Sequence, residues 1–179
     1  VSGQLKRIQG TLRELIEFSR PANPNRTRAS LQDILDEALN IAKYYKRPRG
    51  RIATPPLPPD LPLISGVKDQ LVQVFLNLIL NAIDATEKEG RIDLAVSLEP
   101  GAVLVQVSDE GCGIAPEQAA KLFRPYFTTK KHGTGLGLFV TRRMVRDHGG
   151  DIQFVSTPGE GTTFTVRLPL SRESAEHAA

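Results

Sequence analysis

Between Gln70 and Asp84 the chain is apolar at every position except 70, 73, 77, 81 and 84. Spacings of three and four residues place those five polar side chains on one face of a helix. A helix that is apolar on its remaining sides must be buried, so the fold has to be built around it. A buried carboxamide without a partner costs about 1–3 kcal/mol. Asn77 and Asn81 are therefore either satisfied by neighbouring backbone or line a polar cavity that a ligand fills. The rest of the sequence favours the cavity.

With 179 residues, 40% hydrophobic and 24% charged, the chain suffices for one well-buried domain and an appendage. No run reaches transmembrane length and no signal peptide is recognisable, so a soluble piece is expected. A single cysteine, Cys112, excludes an internal disulfide and suits a cytoplasmic setting, with any membrane anchor in a parent chain. Neither paired cysteines nor clustered histidines suggest zinc. The net charge of +3 suits an anionic ligand. The basic runs lack the aromatic interleaving that marks nucleic-acid binding.

Leu5, Ile8, Leu12 and Leu15 repeat as in the seam of a helical hairpin. That pattern starts almost at the first residue, which suggests a piece of something longer. Pro21 and Pro24 then mark a linker, so residues 21–29 are read as linker and first strand. Ser30 is placed as the N-cap of a helix carrying Leu31, Ile34, Leu35, Ala38, Leu39, Ala42 and Tyr45. Short strands are expected near 51–54 and 63–65. Ile92/Leu94/Val96/Leu98 and Val103/Val105/Val107 alternate around Pro100-Gly101 and predict a half-buried hairpin. Residues 110–134 read as a long loop, which inside a compact domain is usually functional. A helix over 136–147 closes at His148-Gly149-Gly150. A second hairpin runs from Ile152/Phe154 to Phe164/Val166/Leu168, and the tail from Ser171 is polar and flexible. The fold class that follows is α+β: a mixed, largely antiparallel sheet with helices on one face.

Four segments can carry chemistry: the stripe Asn77…Asn81…Asp84; Asp109-Glu110-Gly111-Cys112-Gly113 after a strand; the aromatic run Phe123-Arg124-Pro125-Tyr126-Phe127 with Thr128-Thr129-Lys130; and Gly133-Thr134-Gly135-Leu136-Gly137 opening a helix. An Asp-x-Gly at a strand end is by itself ordinary turn chemistry. Backbone N–H groups at a helix start bind phosphate, and glycine spacing permits the approach. No P-loop pattern occurs, the glycine run does not follow a strand of a parallel unit, and the usual protein-kinase signatures are missing.

In this order the four segments closely resemble the N, G1, F and G2 boxes of the ATP-binding catalytic domain of sensor histidine kinases. That family stands with the ATPases of gyrase, the ninety-kilodalton heat-shock chaperone and MutL. The resemblance assigns residues 1–20 to the end of the second dimerisation-hairpin helix and 30–170 to an α/β sandwich with an ATP lid at about 110–134. It implies that Asp109 takes the adenine amino group, that Gly113 leaves room for the ring and that Gly111 belongs to the cofactor-binding set. Asn81 is the implied Mg²⁺ ligand, and Asn77 and Asp84 lie towards the phosphates. Lys130, Thr134, Gly135, Leu136 and Gly137 hold them, Thr163 completes the cofactor set, and Arg142 or Arg143 approaches from the next helix. Asn77, Asn81 and Lys130 are the implied catalytic residues. Gyrase-like hydrolases carry a water-activating glutamate where this chain has Asn77. The implied partners are ATP, an acceptor-bearing hairpin of the same or a partner subunit in a homodimeric parent, and a response regulator. His132, His148 and His177 do not resemble the phosphoacceptor, which is therefore expected on a segment absent from this sequence. A non-catalytic nucleotide-sensing module and an anti-sigma-type serine kinase are the alternatives.

Overall fold

The computed structural model describes residues 26–45, 51–53, 61, 63–87, 90–130 and 133–170. The readings of residues 1–20, of most of the linker, of His132 and of the tail from Ser171 lie outside the described residues. The elements are β1 (Thr27–Ser30), α1 (Leu31–Tyr45), β2 (Arg51–Ala53), β3 (Leu63–Gly66), α2 (Lys68–Ala85), β4 (Arg91–Glu99), β5 (Ala102–Asp109), α3 (Pro116–Ala119), α4 (Gly137–Asp147), β6 (Asp151–Thr157) and β7 (Gly161–Pro169). Among the described residues no helix is long and apolar enough to cross a membrane.

The main sheet has the order β2-β4-β5-β7-β6, with β2 and β4 parallel and the remaining pairs antiparallel. Beside it, β1 and β3 form a small antiparallel pair, tied to the end of β7 by a bridge between Ile64 and Leu170. Period-two alternation turns Ile92, Leu94, Val103, Val105, Val107, Phe164, Val166 and Leu168 into the core. The other face is polar. There Thr163 Oγ1 donates to Ser108 Oγ at 2.9 Å, and Arg167 pairs with Glu99. A sheet so divided needs cover on one side only, and the helices lie there.

The polar-striped helix is α2, and Leu71, Val72, Val74, Phe75, Leu78, Ile79, Ala82 and Ile83 are buried along it. It packs against α1 on one side and α4 on the other, over β5. α1 begins where the Asp33 N–H donates to Ser30 Oγ at 3.2 Å, the cap that the sequence pattern implies. The start of α2 is held from afar, because the Val67 N–H donates to His148 Nε2 at 3.0 Å. His148 itself, 3% exposed, sits 2.7 Å through Nδ1 from the Met144 carbonyl. The long loop is not wholly irregular. Pro116 opens the single turn α3, where its missing N–H costs nothing, and four residues are too few to show a helical period.

Candidate active site

Between α2, the ends of β5 and β7 and the loop segments 112–130 and 133–135 lies a cavity of about 1080 Å³. Asp109, last residue of β5, stands at one end, only 9% exposed. Its carboxylate accepts the Gly111 N–H at 2.9 Å and the backbone N–H of Thr162. Burial pushes its pKa above the ordinary aspartate value, and those two donors pull part of the way back. The walls here are apolar, from Leu80, Ile114, Leu122 and Phe164. A flat ring fits between such surfaces, its polar edge towards Asp109.

Gly113 lines the cavity, but its own backbone neighbours are what forbid a side chain. Its φ is +68°, and a Cβ would stand 2.1 Å from the Thr157 carbonyl oxygen. The resemblance implies ring clearance as the reason for this glycine; the β6–β7 turn supplies a second. Gly111 is buried against the end of α2, where a Cβ would meet the Ala85 carbonyl oxygen at 2.6 Å.

Lining the same cavity, Lys130 donates through Nζ to Asn81 Oδ1 at 2.6 Å and to Asp84 Oδ2 at 2.8 Å. Two oxygens on one face of α2, separated by about a helical turn, thus converge on a cation. Oxygen donors in small number suit a hard divalent ion that keeps most of its ligands as phosphate and water. Among the described residues there is no cluster of three His, Cys, Asp or Glu that would hold a metal by protein alone.

Asn77 also lines the cavity, yet its carboxamide is engaged by protein. Oδ1 accepts from Gln73 Nε2 at 3.3 Å, while Nδ2 reaches Thr141 Oγ1 at 3.3 Å and the Gly137 carbonyl at 3.5 Å. The two solutions open to a buried amide are therefore both used: Asn77 is satisfied by neighbours, and Asn81 faces a cation. Gly137 opens α4, and a Cβ there would meet nothing within 4 Å, so the glycine leaves open space beside the helix start. Gly135, at φ +70°, presses on the loop, where a Cβ would stand 2.3 Å from the Tyr126 carbonyl carbon. Thr134 lines the cavity and accepts the Leu136 N–H through Oγ1 at 3.3 Å.

Not every sequence-chosen residue comes to the cavity. The Leu136 side chain is in the core at 2% exposure. Thr163 is on the outer sheet face, bonded to Ser108, and its neighbour Thr162 is the one that lines the cavity, in register with Asp109. Alternation counted back from the core residue Phe164 carries that signal. Neither Arg142 nor Arg143 of α4 lines the cavity. Arg142 lies with its guanidinium 5.0 Å from the Phe123 ring centroid and a buried Nε without a partner, whereas Arg143 Nε is 3.9 Å from Asp147.

Residues 66–172 match the sequence pattern of the histidine kinase-, DNA gyrase B- and HSP90-like ATPase family. The chain belongs to that family. This ATPase-family domain is 38% identical over 171 residues to the sensor histidine kinase ZraS of Klebsiella oxytoca, covering 95% of the chain and 37% of that protein. It is 33% identical over 169 residues to the signal transduction histidine-protein kinase AtoS of Escherichia coli K12, covering 94% and 28%. The chain thus spans about a third of the length of these curated relatives. Among solved structures, the catalytic domain of histidine kinase ThkA superposes with a TM-score of 0.73 at 30% identity, covering 84% of this chain and 99% of that one. ThkA in complex with the response regulator protein TrrA gives 0.78 at 26% identity, over 96% and 50%. The fold is that of the ATP-binding catalytic domains of histidine kinases.

Proposed function

We propose that the domain binds ATP with Mg²⁺ and transfers the γ-phosphoryl group to a histidine on a dimerisation hairpin of the same or a partner subunit. From there the group passes to a response regulator. One observation carries this reading: a single cavity is lined both by a buried carboxylate and by a lysine ammonium seated on two oxygens. Those are the recognition chemistries of a base and of a metal-bound triphosphate.

Asp109 accepts the amino group of the base, and Leu80, Ile114, Leu122 and Phe164 cover the ring faces. Lys130 moves from Asn81 and Asp84 to a phosphate oxygen, where its charge offsets charge on the transferring group. Asn81 Oδ1, vacated by the lysine, would hold the metal, with Asp84 at hand to orient bound water. Mg²⁺, when bound, would withdraw negative charge from the phosphates. The N–H groups at the start of α4, opened by the cleared space at Gly137, face the phosphates. Asn77 carries no basic oxygen of carboxylate type, so water is not activated and the phosphoryl group is kept for a protein acceptor.

Two measurements test the reading. Calorimetry is expected to detect ATP·Mg²⁺ binding to this chain. Incubation with γ-labelled ATP and a histidine-bearing hairpin polypeptide is expected to give an acid-labile, alkali-stable phosphate on the hairpin. Acid-stable label on serine, or binding without transfer to any acceptor, contradicts it.

A further inference from the structure

We propose that Ser156 is a positioning residue that sets the hydrogen-bond polarity at the base end of the cavity, so that a purine with an exocyclic amino group is accepted and its 6-oxo counterpart is refused. The inference rests on the reading that a nucleotide base lies against Asp109.

Ser156, on β6, has three partners at its hydroxyl: the Gly161 carbonyl at 2.9 Å, the Ile114 backbone N–H at 2.8 Å and Thr162 Oγ1 at 2.8 Å. A serine hydroxyl has one proton and two lone pairs. The carbonyl of Gly161 can only accept, so it takes that proton. The Ile114 N–H can only donate, so it fills one lone pair. The hydroxyl of Thr162 must then donate to the other. Every hydrogen-bonding site of Ser156 is used, and the direction of the Thr162 hydroxyl is fixed by elimination.

The consequence falls on the cavity. Thr162 is 5% exposed, lines the cavity and lies in register with Asp109. With its proton committed to Ser156, it shows the ligand lone pairs only. The ionised Asp109 carboxylate, already accepting from Gly111 and Thr162 backbone, likewise offers lone pairs only. This end of the site is thus built of acceptors. A 6-amino group brings two protons to them, whereas a 6-oxo ring brings lone pairs at that atom and only its single N1–H in exchange, so one of the buried acceptors is left unpaired. Sites of that kind reject the wrong partner more strongly than apolar pockets do. Ser156 touches no ligand in this scheme and acts through Thr162.

The test is the ratio of ITP to ATP dissociation constants, by calorimetry with Mg²⁺ at pH 8, in the unaltered chain and in Ser156→Ala, Ser156→Thr, Thr162→Val and Ser156→Ala/Thr162→Val. The unaltered chain is expected to prefer ATP. In Ser156→Ala the Thr162 proton is freed to rotate into the cavity, and the preference is expected to shrink about tenfold, the scale of one hydrogen bond. Ser156→Thr restores it. With Thr162→Val already present, adding Ser156→Ala changes the ratio no further, since the two residues act as one unit. A loosened loop would weaken both nucleotides alike; an unchanged ratio in Ser156→Ala therefore overturns the inference while leaving ATP binding intact. An equal effect of Ser156→Ala in the Thr162→Val background also overturns it. Should Ser156→Ala not fold, Thr162→Val against the unaltered chain decides: an undiminished preference for ATP in that variant overturns the polarity argument. Failure of the unaltered chain to bind ATP at all defeats the proposed function itself.

Discussion

Replacing Lys130 with methionine separates what this residue does for the fold from what it does for the ligand. Its ammonium bridges Asn81 Oδ1 at 2.6 Å and Asp84 Oδ2 at 2.8 Å, and the paired side chains are 45% and 28% exposed. Ion pairs this open to solvent contribute about 0.2–1 kcal/mol to stability. For a chain of this size that is a fall in Tm of roughly 4 °C at most. A charge-assisted hydrogen bond to phosphate is worth about 1.5–3 kcal/mol. Because the lysine must leave its two oxygens before it can reach phosphate, the latch energy is subtracted. The net loss is about 0.5–2.8 kcal/mol, or roughly 2- to 100-fold in Kd. Adenosine lacks phosphates and is expected to bind Lys130→Met as it binds the unaltered chain. Calorimetry with ATP·Mg²⁺ and adenosine in parallel, beside a thermal melt, reads all three quantities. Equal loss for both ligands, or a fall in Tm beyond several degrees, would refute the assignment of Lys130 to the phosphate end.

Asn81→Asp places a second carboxylate beside Asp84, which tightens the hold on Lys130 and repels the triphosphate; calorimetry is expected to show ATP·Mg²⁺ affinity at least tenfold weaker, with little change in Tm. Phe75 is wholly buried at the centre of α2, so Phe75→Ala is expected to cost about 3–5 kcal/mol in urea unfolding. His148 is held neutral, its pKa pushed below the usual histidine value mainly by burial, with Nε2 accepting from Val67. In that window the unfolded chain binds the proton more readily. The histidine's contribution is therefore complete above about pH 6.5 and is lost as pH falls through the folded-state value. Urea midpoints are expected to decline from about pH 7.5 to pH 5.5, and the decline should flatten in His148→Gln.

What the sequence disclosed follows from periodicity. The α+β class was legible because Ile92 to Leu98, Val103 to Val107 and Phe164 to Leu168 alternate, while α2 and α4 repeat at helical spacing. The polar stripe of α2 announced a cavity because burial forbids idle amides. Contacts made across long stretches of chain left no local trace. Lys130 on Asn81 joins residues 49 apart, and Val67 on His148 joins residues 81 apart. Nothing short-range in the sequence encodes either. Thr163, expected at the site, and Thr162, which lines it, are one residue apart, and in a strand that step moves a side chain to the opposite face. Ser156 is not legible in the sequence because a single serine in a strand has no pattern; its role lies in its three partners taken together.

The central claim is that one nucleotide spans the cavity from Asp109 to the start of α4. Amide chemical shifts followed by NMR during titration with ATP·Mg²⁺ examine it most directly. The account predicts saturable shifts at Gly111 and Thr162, the two donors to Asp109, together with shifts at Gly135 and Gly137. Shifts confined to one end, or to the outer sheet face around Ser108 and Thr163, would contradict it.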